Sequence, residues 1–150
     1  MDYKITSRDQ EDTLEIAQNI ESEKFPGMVI CLNGELGSGK TVFVKGFASA
    51  LGIDENITSP TFNLIKEYNN GELPLFHMDA YRLDDDVEST GLNDYFNSDG
   101  ILIIEWADMI EKYLPNERLD IYFKVVDENT RLLVFKPHGA KYVELCDAVL

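Results

Sequence analysis

The sequence predicts an α/β domain of three layers built on a mixed, mostly parallel central sheet, and three observations lead to this prediction. Short segments that are apolar throughout, as strands buried on both faces are, alternate with segments of helical periodicity. Two pairs of strand-like segments are joined by polar turns, which adds hairpins to the sheet. The chain has 150 residues, of which 44% are hydrophobic, so we expect one domain spanning residues 1–150.

The first half of the chain predicts two helices, a buried strand and a hairpin. Residues 7–10 fit a capping box, and the helix that follows ends before a Pro-Gly pair at 26–27. The second helix has apolar residues at the spacing i, i+3, i+4 and i+7 and a glycine, Gly52, at its end. In chain order, the predicted elements are a helix over 8–24, a strand over 28–33, a helix over 40–51 and paired strands over 63–68 and 73–78.

The second half of the chain predicts a central strand, a second hairpin and a closing helix. Four consecutive aliphatic residues at 101–104 indicate a buried strand, and Pro115 stops the short helix that follows it. The acidic segment 83–96 is expected to be mostly loop with a helical turn or two. The remaining predicted elements are a helix over 107–114, paired strands over 119–126 and 131–136, and a C-terminal helix from Lys141.

Charge and composition exclude several classes of protein. The chain has 13 Lys and Arg against 28 Asp and Glu, a net charge of −15, and its arginines number four. A protein that grips bare nucleic acid or an anionic membrane needs the opposite balance. The N-terminus lacks the pattern of a signal peptide, and no apolar run approaches the ~20 residues of a membrane span, so we expect a cytoplasmic protein. Its two cysteines, Cys31 and Cys146, indicate neither a disulfide framework nor a zinc site.

One motif carries specific chemistry. Residues 34–41, G-E-L-G-S-G-K-T, match the P-loop pattern G-x-x-x-x-G-K-[ST] between a predicted strand and a predicted helix. Glycines let consecutive backbone N–H groups turn toward phosphate oxygens, and the helix N-terminus adds partial positive charge. Lys40 would place a cation at the β- and γ-phosphates, and the Thr41 hydroxyl would ligate Mg²⁺. The predicted architecture is therefore a three-layer P-loop NTPase fold.

A P-loop requires an acidic residue at the end of a neighbouring strand, where it holds Mg²⁺ directly or through water. Two residues meet this requirement. Glu105 follows the aliphatic run 101–104 in a Walker B-like pattern, and Asp79 follows the strand-like segment 75–78. The residues alone leave both candidates open.

Four further features have an ordinary explanation beside a functional one. Residues 58–61, T-S-P-T, are a turn by composition, but they lie where switch loops of P-loop proteins lie, and Thr61 could reach the γ-phosphate. His77 is interpreted as a hydrogen-bonded histidine, with a catalyst as the alternative. Trp106 is interpreted as a packing residue that could also report nucleotide binding. The aspartate run 84–86 is interpreted as a solvated surface, with docking to a basic partner as the alternative.

Four motifs in one order and spacing resemble the TsaE (YjeE) family, small bacterial ATPases of tRNA threonylcarbamoyladenosine biosynthesis. The motifs are N-G-E-L-G-S-G-K-T at 33–41, S-P-T-F at 59–62, H-M-D-A-Y-R-L at 77–83 and I-E-W at 104–106. The resemblance extends from about residue 7 to residue 131. It implies that ATP and Mg²⁺ are the cofactors.

The resemblance also implies roles for individual residues. Thr41 and Glu105 would coordinate Mg²⁺, Asp79 would be a second acid needed for hydrolysis, and Thr61 would be the switch-like residue near the γ-phosphate. The residues expected to carry catalysis are thus Lys40, Thr61, Asp79 and Glu105. Those expected to bind the nucleotide are Leu36, Gly37, Ser38, Gly39, Lys40, Thr41 and Arg131.

The partners implied by the resemblance are the TsaD and TsaB proteins. In this family the ATPase is an accessory protein, TsaD carries out the transfer of threonylcarbamoyl to tRNA, and ATP turnover resets the complex. We therefore expect contact with tRNA only indirectly, through the complex, and no contact with a membrane. Selectivity for adenine is expected on the resemblance alone.

Three other functions are compatible with a P-loop. A small-molecule kinase would need several arginines over the transferred phosphate, but only Arg82, Arg118 and Arg131 follow the motif. A GTP-binding switch would need a guanine-reading N-K-x-D, which the sequence lacks. A nucleotide-dependent interaction module with negligible turnover has no sequence signature that separates it from an ATPase, so a phosphate-release assay must decide.

Overall fold

A computed structural model describes residues 2–58, 60, 65–81 and 91–150 of the chain, and the strands of this part form one seven-stranded sheet. The strands are β1 (Tyr3–Ser7), β2 (Val29–Gly34), β3 (Ile65–Tyr68), β4 (Leu75–Asp79), β5 (Ile101–Glu105), β6 (Arg118–Val125) and β7 (Arg131–His138). The helices are α1 (Gln10–Glu21), α2 (Lys40–Leu51), α3 (Leu92–Phe96) and α4 (Ala140–Val149), with a 3₁₀ helix over Ala107–Tyr113. None of these helices combines the length and hydropathy that crossing a bilayer requires.

The sheet is mixed, with a parallel centre. Its strand order is β1-β7-β6-β2-β5-β4-β3, and the four strands β6, β2, β5 and β4 run parallel to one another. β3 and β7 are antiparallel to their neighbours, and β1, which is antiparallel to β7, runs in the direction of the central four. Five of the seven described strands thus share one direction, which confirms the predicted mixed, mostly parallel sheet. The carboxyl ends of β2, β4 and β5 meet at one edge, where ligands bind in α/β sheets.

Successive residues of the central strands face two different cores, which confirms the three layers. Ile30 of β2 and Ile103 of β5 join a hydrophobic cluster with α1, α2 and α4. Their neighbours Cys31 and Ile104 join a second cluster with α3 and the 3₁₀ helix. This alternation follows from the two-residue period of a strand. Cys31 is fully buried.

Local sequence signals predicted α2 to the residue. The helix spans Lys40–Leu51, and Gly52 ends it in the left-handed conformation at φ 95°, with its N–H donating to the carbonyls of Ala48 and Ser49. Only a residue without a Cβ adopts this conformation at little cost, which is why glycine is the usual end signal. The hairpins β3–β4 and β6–β7 and helix α4 are confirmed, with bounds that differ from the predicted ones by up to two residues, and residues 63–64 of the predicted strand 63–68 lie outside the described residues.

The prediction for the start of α1 was wrong. The helix begins at Gln10 rather than Arg8, and its N-cap is Asp9, whose carboxylate accepts the N–H of Asp12 at 2.8 Å. Ser7 instead ends strand β1, which the sequence analysis did not identify, and its hydroxyl contacts that of Thr13 at 2.7 Å. Pairing of β1 with β7 holds the backbone extended up to Ser7, so the helix starts later than the capping pattern suggests.

Two other segments differ from expectation or lie partly outside the described residues. The predicted helix at 107–114 is a 3₁₀ helix over Ala107–Tyr113, interrupted by non-helical angles at Ile110 (φ −126°, ψ 30°). Residues 83–90 of the acidic segment 83–96, and with them the aspartates at 84–86, lie outside the described residues. Its described end forms α3.

We expect Gly46→Ala to destabilise the fold. A Cβ at Gly46 would lie 2.7 Å from the carbonyl oxygen and 2.9 Å from the Cα of Leu14 on α1, and backbone atoms cannot move aside as side chains do. Overpacking of this kind costs about 1–3 kcal/mol, more than the ~1 kcal/mol that alanine gains over glycine within a helix. Urea unfolding measures the change.

The matched control for Gly46→Ala is Ser49→Ala, which is exposed on the same helix. Its free energy of unfolding should equal or slightly exceed that of the wild type, because alanine is the better helix former. If the two variants proved equally stable, the close contact between α1 and α2 would not constrain the fold.

Candidate active site

The glycine-rich loop, residues 34–39, connects β2 to the first residue of α2. Gly37 and Gly39 adopt left-handed backbone angles, with φ 79° and 109°, and Gly39 is the N-cap of α2. The loop therefore delivers the chain directly into a helix whose first N–H groups have no partner within the helix. These groups and the helix dipole create positive potential at the loop, which suits an anionic ligand.

Tight packing around Gly34 and Ser38 shapes the loop. A Cβ on Gly34 would lie 2.6 Å from the Ser38 Oγ and 2.8 Å from the Phe123 carbonyl oxygen, so a larger residue does not fit at this position. The Ser38 hydroxyl is buried and has no hydrogen-bond partner among the described residues. A buried hydroxyl without a partner is rare, and a ligand oxygen at the loop would satisfy it.

Lys40 is folded back onto the loop and is largely buried. Its Nζ donates to the carbonyl oxygens of Gly34 and, at 3.2 Å, Glu35, and lies 3.8 Å from the centre of the Trp106 ring. Burial lowers the pKa of Lys40, while the charge of nearby carboxylates, Glu105 foremost, opposes the shift. The ammonium is thus held next to the loop by neutral carbonyl oxygens that an anion could replace.

Thr41 and Glu105 contact each other across the cleft. The Thr41 hydroxyl lies 3.3 Å from both carboxylate oxygens of Glu105, and the Glu105 side chain is only 5% exposed. Glu105 ends β5 directly beside Leu32 of β2, and because it follows Ile103 by two residues it faces the same side of the sheet as α2. The parallel strand pair thus places a hydroxyl and a carboxylate together at the loop.

Asp79 is the cross-strand neighbour of Glu105. The two residues are paired in the register of β4 and β5, and the Asp79 carboxylate accepts the N–H of Tyr81 at 2.9 Å. Both acids that the sequence left open therefore lie at the same strand edge. Glu105 is the one in contact with Thr41.

Arg131 joins the β6–β7 turn to the glycine-rich loop. Its Nη2 donates to the Gly37 carbonyl oxygen at 3.2 Å, and its Nη1 donates to carbonyl oxygens of the turn, that of Asp127 at 2.8 Å among them. Leu36, at the tip of the loop, has a side chain that is 90% exposed. Any contribution of Leu36 to phosphate binding must then come from its backbone N–H.

These elements surround one cleft of about 690 Å³. The predicted site residues that line it are Leu36, Gly37, Ser38, Gly39, Lys40, Thr41, Asp79, Glu105 and Arg131. Thr61 lies outside the described residues, although Pro60 contributes to the wall. The remaining wall comes from the N-terminus of α1, the β6–β7 turn, Val42, Tyr81 and Trp106. The structure thus brings together every predicted site residue that it describes.

Sequence reasoning missed or undervalued three parts of this site. Trp106 packs against Tyr81, with ring centres 4.8 Å apart and ring planes tilted by 51°, and has a left-handed backbone with φ 59°. His77 is fully buried and contacts Glu105. The wall from α1, which includes Gln10, has no local signal, because it depends on how α1 packs on α2. The available signal for the other two was their position: Trp106 directly follows Glu105, and His77 stands two residues before Asp79.

The donor set fits a hard cation bound together with phosphate. No group of three or more His, Cys, Asp and Glu side chains in the described ranges could hold a metal unaided. Mg²⁺ is usually bound by one or two carboxylates, water and the phosphates of its nucleotide, and it takes oxygen ligands. The Thr41 hydroxyl and the Glu105 carboxylate supply two such oxygens beside a loop suited to phosphate.

Comparisons with known proteins agree on one family. The family model described as "Threonylcarbamoyl adenosine biosynthesis protein TsaE" matches residues 7–133. The chain is 47% identical over 137 residues to the tRNA threonylcarbamoyladenosine biosynthesis protein TsaE of Bacillus subtilis, covering 91% of this chain and 87% of that one. It is 37% identical over 147 residues to the protein of the same name from Nostoc, covering 95% and 90%.

A solved structure shows the same fold. The crystal structure of Bacillus subtilis YdiB superposes with a TM-score of 0.85 at 42% sequence identity, covering 99% of this chain and 94% of that chain. The similarity therefore extends over the whole sheet and both helical layers.

Proposed function

The chain belongs to the TsaE family of tRNA threonylcarbamoyladenosine biosynthesis proteins, and from this premise we propose that it is the Mg²⁺-dependent ATPase of that pathway. In this proposal the protein binds and hydrolyses ATP as an accessory to the TsaD–TsaB pair and is not itself the transferase. It meets tRNA only indirectly, through the complex. The excess of negative charge supports this division of labour, because tRNA binding requires a positive surface.

The observation that carries the proposal is the arrangement of Lys40, Thr41 and Glu105 on one cleft. Lys40 and the loop amides would bind the β- and γ-phosphates, and Thr41 and Glu105 would hold Mg²⁺. Mg²⁺, when bound, neutralises charge on the phosphates. Asp79, at the paired strand end, would orient the attacking water or share the metal through water.

The small number of positive side chains at the cleft supports the expectation that the isolated chain hydrolyses ATP slowly. Among the arginines of the described ranges, Arg131 lines the cleft, but turn carbonyls already engage one end of its guanidinium. Arg118 is bound to Asp120 at 2.9 Å instead, and Arg82 lies outside the described residues. Charge that develops on the γ-phosphate is therefore poorly compensated unless a partner adds to the site.

We expect Glu105→Ala to lower Mg²⁺-dependent ATP hydrolysis by about 100-fold or more while ATP binding in EDTA stays near the wild-type value. Loss of an anionic ligand weakens the binding of Mg²⁺, and a bound metal stabilises transition-state charge by several kcal/mol. Each 1.36 kcal/mol of lost stabilisation lowers the rate tenfold. Phosphate release measures turnover. A fluorescent ATP analogue measures binding.

Glu55→Ala is the matched control, since it removes an exposed acid outside the cleft. If Glu105→Ala hydrolysed ATP as the wild type does, Asp79 would become the principal acid. A wild-type chain that bound ATP with Mg²⁺ but released no phosphate, alone or with TsaD–TsaB, would be a nucleotide-dependent interaction module rather than an ATPase.

A further inference from the structure

His77 is buried beneath the candidate metal site, in contact with Glu105. Its side chain has no exposed surface, and its Nε2 lies 2.5 Å from the Glu105 Oε2. On β4 and β5, His77 pairs with Ile103, so Glu105 is its diagonal neighbour on the same face of the sheet. The contact therefore follows from the strand register and needs no loop to form it.

The contact is directional. A carboxylate only accepts hydrogen bonds, so in this contact the Nε2 of His77 donates its N–H to Glu105. Nδ1 is buried and has no hydrogen-bond partner among the described residues. Burial of a ring with an unpartnered nitrogen costs stability, and an apolar residue of similar size would avoid that cost. A histidine here is thus poorly explained by packing alone.

Glu105 is held from two sides. The Thr41 hydroxyl lies 3.3 Å from both carboxylate oxygens, and His77 contacts Oε2 from below. A glutamate side chain has three rotatable bonds, so without His77 its carboxylate could rotate between several positions. With His77 in place, Oε2 is engaged by the imidazole, and Oε1 lies 3.3 Å from the Thr41 hydroxyl.

We infer that His77 is a positioning residue for the cation site: its Nε2–H orients the Glu105 carboxylate so that Oε1 and the Thr41 hydroxyl present a preformed pair of oxygens to Mg²⁺. The inference rests on the proposed Mg²⁺-dependent function. Outer contacts of this kind commonly alter metal affinity by about 10–100-fold. His77 does not touch nucleotide or metal in this scheme.

The test compares two substitutions of similar length that differ in the donor. His77→Met removes the donor. His77→Gln can keep an N–H at the position of Nε2. The control is His138→Met, at the other histidine of the chain, which is bound to Asp120 at 2.9 Å and does not line the cleft. The measured quantities are the apparent Kd for Mg²⁺ at saturating ATP analogue and the Kd for the analogue in EDTA.

We expect His77→Met to raise the apparent Kd for Mg²⁺ about 10–100-fold and to leave the Kd in EDTA unchanged, with His77→Gln close to the wild type. Equal Mg²⁺ affinities for His77→Met and the wild type would overturn the inference. So would an equal loss in His77→Met and His77→Gln. If the wild type itself showed no Mg²⁺ dependence of nucleotide binding, the proposed function would fail instead, so the two failures are distinguishable.

A measurement on the wild-type protein keeps the inference testable even if the variants fold poorly. The sequence contains two histidines, so the ¹⁵N spectrum of the imidazoles holds two rings, and His138→Gln assigns them. We expect the Nε2 of the His77 ring to carry a proton. The Nδ1–H tautomer would overturn the inference, because a lone pair rather than a donor would then face Glu105.

Discussion

Lys40→Ala should abolish ATP binding at concentrations that saturate the wild type. Lys40 is the buried cation at the glycine-rich loop, and its Nζ already lies among polar acceptors that phosphate oxygens would replace. Removing one partner of a buried, hydrogen-bonded charge pair costs about 2–5 kcal/mol, which corresponds to a loss of affinity of about 30-fold or more. Isothermal titration with ATP and Mg²⁺ measures the change.

The matched control for Lys40→Ala is Lys45→Ala, an exposed lysine on the same helix. It changes the net charge equally, so a loss of binding shared by both variants would reflect the overall field and not the loop. The fold should tolerate Lys40→Ala, because burial already disfavours the Lys40 charge in the folded state, as its lowered pKa indicates. Retained ATP affinity in a folded Lys40→Ala protein would contradict the assignment of the phosphate site.

Addition of the TsaD–TsaB pair should raise the rate of ATP hydrolysis by a large factor. The described part of the cleft has one arginine, Arg131, and that side chain ties the β6–β7 turn to the loop. An arginine supplied in trans is worth ~10³–10⁵ in rate where it is used. A partner could instead bring Thr61 to the γ-phosphate. Both routes make hydrolysis depend on assembly.

Single-turnover phosphate release, with and without the pair, measures this coupling. The control is the Glu105→Ala protein with the pair, which separates hydrolysis by this chain from hydrolysis by its partners. Linkage adds a second expectation: if the partners bind the ATP form better than the ADP form, ATP must strengthen the complex by the same factor. The accessory role would be excluded if turnover were equal with and without the pair and if the chain bound the pair equally well with ATP analogue and with ADP.

The sequence by itself determined those parts of the molecule whose signals are local. The boundaries of α2 follow from the glycines before it, the apolar spacing within it and Gly52 after it. The two acids could be placed at strand ends because each closes a strand-like segment: Asp79 is the last residue of β4, and Glu105 is the last residue of β5, after four aliphatic residues. Conformational preference and burial pattern act over a few residues, so such features can be predicted without knowing the fold.

Tertiary structure decided what depends on contacts between distant segments. β1 exists because it pairs with β7 near the other end of the chain, and that pairing moved the N-cap of α1 to Asp9. The contact between His77 and Glu105 depends on the register of β4 and β5 and not on composition. The tertiary structure likewise determines that Glu105, rather than Asp79, contacts Thr41. No local pattern encodes these distances, because each arises only when strands separated in sequence align within one sheet.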